Sequence, residues 1–352
     1  MLKSHTIKAD WLFIRLAILR WQIKMQEQNI EKQIPIVIET LIPGPVTNLS
    51  KSDFKRIIKY WQVGLNVICN GLYRLDNQRL SHKERQRILL LSIFSPLYDD
   101  LFDDKILSYD QIEAFTKFPE KYIPRGFKDR LLKKTYLQLL EITSQRENVM
   151  EQLYQVFIWQ KASVKQLSPD ISEAELYEVT YNKSYHSILL FCSLLDHPPS
   201  PGMLEMLYPI AGLLQLTNDA FDVYKDIQNG VYTLPNLYLN FDQLLQHFME
   251  EIARFNYSLM QLPSVRRQKK IYGMTIHALN AMGRMALEQL RETTHGITNA
   301  KDLATMTRKA LVCDLDSMRQ RKRWVKQVQY LLNYPAIENP SKWRAEASGL
   351  LT

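Results

Sequence analysis

Residues 203–226 read MLEMLYPIAGLLQLTNDAFDVYKD, an apolar stretch that ends in regularly spaced polar side chains. Asn218, Asp222 and Asp226 recur every four residues, so on an α-helix they drift by only about 80° and line one side over roughly 12 Å. Lys225 falls on the same side, seven residues after Asn218. The stretch therefore predicts a helix that offers an amide oxygen and two carboxylates to a hard cation, with an ammonium group beside them. A solvated polar face is the alternative interpretation.

A second acidic cluster lies upstream, where residues 95–104 read SPLYDDLFDD after the apolar run ILLLSIF at 88–94. Its aspartates are Asp99, Asp100, Asp103 and Asp104. On a helix the last three share a face, and Asp99 pairs with Asp103. Four carboxylates so close together repel one another unless solvent or cations neutralise them, and magnesium prefers such oxygens. The cluster predicts metal ligands; a solvated acidic loop at a helix end is the alternative.

Each of the two clusters ends an apolar helix, where an unpaired carboxylate is costly. They lie about 120 residues apart in the chain. Together they predict a cavity that holds cations between them. Asp219 lies about 100° from Asn218, and we leave it out of the predicted ligand set.

The rest of the chain favours helix over sheet. The protein has 352 residues, 46% of them hydrophobic, and only 11 glycines. Spacing near 3.6 residues recurs throughout, and we find no convincing strand alternation. We predict an all-α fold, a single large helical domain with a central cavity and ten or more helices. The predicted helices cover residues 8–30, 52–76, 82–105, 109–118, 127–145, 147–165, 173–196, 202–229, 241–260, 264–293 and 302–334.

At the first-quoted stretch the chain resembles squalene and phytoene synthases. Residues 214–218 read LQLTN, Asp222 and Asp226 form a DxxxD, and residues 230–235 read GVYTLP. The upstream cluster fits both the DDxxD pattern of class I terpene synthases and the DxxED pattern of squalene-type enzymes. The chain departs from the family where residues 181–187, YNKSYHS, replace its usual Y-x-x-x-VAG-x-VG helix.

This resemblance implies a class I isoprenoid synthase domain over residues 41–335, with a helical extension at 1–40 and a tail at 336–352. It implies a terpene synthase in which magnesium ions, three by analogy, trigger ionisation of an allylic prenyl diphosphate. The carbocation would then cyclise or rearrange. Head-to-head coupling by a squalene/phytoene-type prenyltransferase is the alternative within the fold. The family also implies a homodimer.

The same resemblance implies roles for individual residues. The catalytic residues would be Asp100, Asp104, Asp222 and Asp226. The metal ligands would be Asp99, Asp100, Asp103, Asp104, Asn218, Asp222 and Asp226. Basic residues predicted at the diphosphate are Lys225, Lys183, Arg308 and Lys309. Aromatic side chains predicted in the cavity, where ring faces stabilise cations, are Tyr98, Phe102 and Phe221.

Several features limit the other classes of function. The net charge of +8 suits an anionic ligand, an anionic membrane surface or nucleic acid, and equally a solvated basic surface. We interpret the basic run at 319–326 as a solvated helix face and predict no nucleic-acid partner. Residues 9–23 fit a helix packed on the domain and also a basic amphipathic helix in peripheral contact with a membrane. A helical lipid- or nucleic-acid-binding protein is the non-enzymatic alternative.

The three cysteines are widely spaced in apolar contexts, which predicts buried thiols in a reducing compartment. No secretory signal and no run of 18 apolar residues is visible. We therefore expect a cytoplasmic location, with or without peripheral membrane contact.

Overall fold

The computed structural model describes residues 9–43, 49–103, 107–297, 299–314 and 316–336. Over these residues it is all-helical and contains no β-strand, which confirms the all-α part of the prediction. Contacts divide the chain into two compact units where the sequence predicted a single domain. The unit that we call the α4 unit consists of Ile18–Ala162 and His186–Pro199. The other, the α9 unit, consists of Ser163–Tyr185 with the described residues up to Ala17 and from Ser200 onward.

The first seven helices begin with a long one that runs from the α9 unit into the α4 unit. They are α1 (Ala9–Leu41), α2 (Lys51–Gln62), α3 (Asn70–Leu75), α4 (His82–Asp103), α5 (Tyr109–Lys117), α6 (Phe127–Ile142) and α7 (Arg146–Ala162). Helix α1 continues through Pro35, beyond the predicted end at residue 30. A π-helical segment, Val63–Cys69, joins α2 to α3 where one regular helix was predicted. Within the α4 unit, α4 packs against α2 and α6, and α5 packs against α7.

The remaining helices are α8 (Glu173–Cys192), α9 (Pro201–Gln228), α10 (Leu234–Leu237), α11 (Phe241–Gln261), α12 (Arg266–Thr293), α13 (Ala300–Leu303), α14 (Arg308–Leu311) and α15 (Met318–Leu332). Within the α9 unit, α9 packs against α11 and α12, and α12 packs against α15. The predicted helix over residues 302–334 is interrupted twice. Polar residues start the new helices: Asn299 caps α13, and Ser317 caps α15 by accepting a hydrogen bond from the Gln320 amide.

Helix α9 carries the first-quoted stretch, and its ends follow from the local sequence. Ser200 accepts a hydrogen bond from the Met203 amide at 3.4 Å, and Pro201 occupies the first helical position, where a missing N–H costs nothing. After Asn229, Gly230 adopts a φ of 65°, a left-handed conformation that ends the helix. The observed bounds match the predicted 202–229 to within one residue.

The contact between α9 and α12 depends on a glycine. A Cβ atom added at Gly283 of α12 would lie 2.1 Å from Thr217 Oγ1 and 3.2 Å from Thr217 Cα on α9. Only a residue without a side chain lets the two backbones approach this closely. Because Thr217 precedes Asn218, this contact sets the position of the polar face of α9.

Capping boxes are present at the starts of α4 and α8. The Glu84 amide donates to Ser81 Oγ at 3.2 Å, and the Ser81 amide donates to the Glu84 carboxylate at 2.7 Å. Ser172 and Glu175 make the same reciprocal pair ahead of α8. Each box satisfies two amides that a helix N-terminus would otherwise leave unpaired.

The three cysteines are buried and make no disulfide, as predicted. Burial raises the pKa of Cys192 to about 12 and also raises the pKa of Cys69 and of Cys313. Thiols with such pKa values are protonated and unreactive at neutral pH. Among the described helices, none combines the length and apolar content that crossing a bilayer requires.

Candidate functional site

The polar face of α9 has the geometry that the four-residue spacing predicts. Asn218 Nδ2 donates a hydrogen bond to Asp222 Oδ2 at 3.3 Å. Asn218, Asp222 and Asp226 are half-buried, whereas Leu216, Ala220 and Val223 on the same stretch of α9 are fully buried. The face is therefore a polar strip whose neighbours on the helix pack into the core.

Asp226 is electrostatically strained in the absence of a cation. Burial, and after it the negative charge of Asp222, raise the pKa of this carboxyl to about 7. The positive charges of Lys225 and Lys183 act against this rise. A bound cation would remove the repulsion between Asp222 and Asp226.

Asp219 belongs to the same face, although it is not in the predicted ligand set. It is only 4% exposed, and burial raises the pKa of its carboxyl to about 7. Gln215 Nε2 donates to Asp219 Oδ1 at 2.8 Å, whereas Oδ2 has no hydrogen-bond partner among the described residues. Measured from Asp226, seven residues later, Asp219 is only about 20° away around the helix. The angle around the helix between Asp219 and Asp226 therefore indicates from sequence that Asp219 lies on this face, whereas the angle from Asn218 alone does not.

The two lysines predicted near this face, Lys183 and Lys225, differ in how far they are buried. Lys183, on α8, is half-buried and lowers the pKa of both Asp219 and Asp226 through its positive charge. Lys225 is exposed, and its charge lowers the pKa of Asp226. The structure thus brings Lys183 of one helix to the carboxylates of another. This places a cation and three carboxylates in one electrostatic cluster.

A second buried carboxylate in the α9 unit provides a contrast. Glu251 is 1% exposed, and burial raises the pKa of its carboxyl to about 7. Its Oε1 accepts a hydrogen bond from Arg254 Nη1 at 2.9 Å, so the charge is balanced by a guanidinium within the protein. The three α9 carboxylates have no such direct ion pair among the described contacts. Their arrangement leaves negative charge for a ligand to neutralise.

The upstream cluster occupies the last turn of α4, and its first two aspartates are bound by protein side chains. Asp99 accepts hydrogen bonds from the Tyr60 hydroxyl and, at 2.8 Å, from Gln160 Nε2. Asp100 accepts a hydrogen bond from Arg56 at 2.5 Å and has Lys128 Nζ at 3.8 Å.

The last two aspartates of that cluster differ from the first two. Asp103 is exposed, and Asp104 lies outside the described residues. Negative charge at a helix C-terminus opposes the helix dipole. Arg56 offsets this unfavourable interaction through two contacts. Its guanidinium pairs with Asp100, and it also donates a hydrogen bond to the Pro96 carbonyl oxygen at 2.8 Å.

The predicted aromatic residues lie in unlike surroundings. Tyr98 is fully buried and stacks on Phe94 with ring centroids 5.1 Å apart. Phe102 is half-buried and meets Tyr98 edge-on at 5.6 Å. Both belong to an aromatic cluster inside the α4 unit. Phe221 is half-buried on α9, one residue before Asp222.

Arg308 and Lys309 lie on the short helix α14, which packs against α12 and α9. Both side chains are exposed. Gln289 Nε2 donates to the backbone carbonyl oxygens of Ala310 and Val312 at 3.2 Å each, and this holds α14 on α12. No described contact joins either side chain to the α9 carboxylates.

The α9 face fits magnesium by its chemistry. It supplies one amide and three carboxylates, and Asp219 Oδ2 is a buried acceptor without a partner. Within the described residues, no three His, Cys, Asp or Glu side chains already converge on one point. Magnesium commonly takes one or two carboxylates and completes its shell with water and substrate phosphate. Asp222 and Asp226 therefore suffice in number, with Asn218 and Asp219 beside them.

Three surface grooves of the α9 unit lie apart from this face. The largest, about 560 Å³, is lined by Lys326, Gln329, Tyr330, Asn333, Tyr334 and Pro335. The other two measure about 390 and 370 Å³ and lie along α11. No α9 residue lines any of the three, so we do not assign them to the candidate site.

Comparison with known proteins adds no family assignment. No protein-family model matches the chain, and no curated protein matches it at a significant level.

Proposed function

We propose that the protein is a magnesium-dependent class I isoprenoid synthase, a terpene synthase that ionises an allylic prenyl diphosphate. The observation that supports this proposal most strongly is the α9 face. Three carboxylates crowd one side of a buried helix, two of them with a pKa raised to about 7, and a lysine from α8 lies within electrostatic range. Such a face gains stability when it binds a cation that in turn holds an anion.

Under this proposal the residues of α9 have distinct tasks. Asp222 and Asp226 would hold magnesium, with Asn218 as an amide ligand. Lys183 and Lys225 would pair with the negative charge of the diphosphate, which grows as the allylic carbon–oxygen bond breaks and its electrons leave with the diphosphate. The metal would supply Lewis-acid stabilisation of the leaving group.

The resemblance also predicts acidic ligands in the α4 unit, namely Asp99, Asp100, Asp103 and Asp104. Arg56 and Lys128 now neutralise Asp100, at 2.5 and 3.8 Å. These cations are of the type that binds diphosphate, because guanidinium and ammonium groups match phosphate oxygens.

Incubation of the purified chain with labelled geranyl, farnesyl and geranylgeranyl diphosphates and magnesium tests the proposal. Diphosphate release and the extracted products are measured together. We expect release that depends on magnesium, with a single-substrate hydrocarbon or alcohol as the product. Asp222→Asn should lower turnover at least 100-fold, because the amide cannot replace the carboxylate as an anionic ligand.

The matched control is Asp242→Asn, which removes an exposed carboxylate 3.1 Å from Arg291 on the same unit. It should keep wild-type turnover, since exposed ion pairs contribute little. Wild-type turnover by Asp222→Asn would refute the catalytic assignment. A wild-type chain that releases no diphosphate from any of the three substrates would refute the proposal as a whole.

Head-to-head coupling is a second candidate, favoured by one observation. The LQLTN and DxxxD segments that resemble squalene and phytoene synthases lie on one continuous helix, followed by the GVYTLP turn. The same incubation distinguishes the two activities, because coupling joins two prenyl chains into one product of doubled length. A doubled product would replace the cyclase assignment.

A non-enzymatic helical protein that binds lipid or nucleic acid is the competing class. This alternative predicts that no product forms from any prenyl diphosphate and that Asp222→Asn does not change the binding of lipid or nucleic acid.

A further inference from the structure

The outer face of helix α1 exposes large apolar side chains. Trp21 is 62% exposed, Ile14 is 57%, Met25 is 48% and Ile18 is 38%. On an α-helix these four residues fall within about 60° of one another, so they form one stripe. Phe13, also exposed, flanks it. Monomeric proteins seldom leave a contiguous stripe of this kind in water unless it binds something.

The opposite face of α1 is buried against the rest of the protein. Leu12, Leu16, Ile30 and Ile34 are buried, and Gln26 Oε1 accepts a hydrogen bond from Asn66 Nδ2 of the α4 unit at 2.8 Å. The stripe is therefore a second apolar face on a helix that is already docked. Core packing does not explain it.

Along the length of the stripe, the charged side chains are basic, and the nearest acidic residues of α1 are Asp10 before it and Glu27 after it. From Trp11 to Gln26 the only charged residues are Arg15, Arg20 and Lys24. Arg20 and Lys24 lie on one side of the stripe, and Arg15 lies on the other. Long basic side chains flanking exposed Trp and Ile are typical of helices that lie in the headgroup region of an anionic bilayer.

We propose that α1 docks the protein on an anionic lipid bilayer, with Ile14, Ile18, Trp21 and Met25 inserted and Arg15, Arg20 and Lys24 on the headgroups. A second copy of the chain is a poorer occupant. A two-fold contact through this stripe would face one basic border with another, because the acidic residues nearest to it, Asp10 and Glu27, lie beyond its two ends. This inference does not depend on the proposed activity.

Sedimentation of the full chain with vesicles tests the proposal. The probes are vesicles of phosphatidylcholine alone and of phosphatidylcholine with phosphatidylglycerol at three to one. We expect binding at least 10-fold tighter to the anionic vesicles, weakening as salt is added. The double variant Ile18→Ser/Trp21→Ser should bind at least 10-fold more weakly. Arg20→Gln/Lys24→Gln should lose most of the preference for phosphatidylglycerol.

Ile123→Ser is the matched control, because Ile123 is an 83% exposed isoleucine that is not part of α1. It should bind vesicles like the wild type. Circular dichroism of each variant establishes that the fold is kept. The proposal is overturned if the wild type ignores anionic vesicles or if the α1 variants bind as well as the wild type. It is also overturned if light scattering shows a dimer that Ile18→Ser/Trp21→Ser dissociates, since the stripe would then be an interface between copies.

Discussion

Replacing Gly283 by alanine tests the contact that positions the polar face of α9. Two effects oppose each other. Alanine favours a helix interior over glycine by about 1 kcal/mol. Against this, the new methyl group would lie 2.1 Å from Thr217 Oγ1, 2.9 Å from its Cβ and 3.2 Å from its Cα. Rotating the threonine side chain relieves only the first overlap, so the backbones of α9 and α12 must separate.

Overpacking of this kind costs about 1–3 kcal/mol. Because the overlap involves backbone, we expect the upper part of that range, which leaves Gly283→Ala destabilised by about 1–2 kcal/mol after the helix-propensity gain. Gly273→Ala in the same helix is the control. Its methyl group would meet only the ends of two leucines, Leu259 Cδ2 at 3.2 Å and Leu332 Cδ2 at 3.5 Å. This variant should be as stable as the wild type or up to about 1 kcal/mol more stable.

Urea denaturation followed by circular dichroism measures both variants, and they should differ by about 2 kcal/mol. The same preparations should show a loss of magnesium-dependent turnover for Gly283→Ala alone, since the shift begins one residue before Asn218. Thr217→Ala should recover part of the stability when combined with Gly283→Ala, because it removes the closest atom. Equal stabilities for the two alanine variants would refute the close approach of α9 and α12.

Three further predictions concern the charged residues of the two units. Asp219 has a folded-state pKa of about 7 against an ordinary 3.8, so its charge costs stability above pH 7 and the cost is gone below pH 4. Asp219→Asn should therefore raise the free energy of unfolding by up to about 4 kcal/mol at pH 8 and by nothing at pH 4; a gain that is independent of pH would contradict this. Lys183→Gln should raise the pKa of Asp226 further and raise the KM for a prenyl diphosphate about 10-fold, measured as initial rates, and an unchanged KM would exclude Lys183 from the diphosphate site. Arg56→Gln should lower the free energy of unfolding by about 1 kcal/mol in urea titrations, whereas Lys55→Gln, on the exposed side of the same helix, should leave it unchanged.

The part of the site that lies on one uninterrupted helix is predictable from sequence. Asn218, Asp222 and Asp226 follow helical geometry alone, so their common face needs no tertiary information. Asp219 shows the limit of this reasoning. Its burial, which raises the pKa, results from the packing around α9, and Lys183 on α8 acts against that rise; neither effect is visible in local spacing.

Helix interruptions are the part of the fold that the spacing does not predict. The π-helical segment Val63–Cys69 continues the apolar pattern of α2 into α3, so it reads as one regular helix in the sequence. The breaks between α13, α14 and α15 carry capping residues, but the apolar positions around them keep a helical period. Whether such a stretch is one helix or three depends on what it packs against. The fold class is robust to such errors because every piece remains helical.

The three buried thiols can be used to measure local unfolding of the chain. Cys69 and Cys192 lie in the α4 unit, and Cys313 lies in the α9 unit. Each is shielded while its surroundings stay closed, so a small alkylating reagent can modify it only after a fluctuation exposes the sulfur. Mass spectrometry of the labelled peptides over time would thus give a separate labelling rate for the cysteines of each unit in one sample, with no engineered probe. Adding magnesium and a diphosphate should slow the alkylation of Cys313 if ligand binding stabilises the α9 unit against local opening.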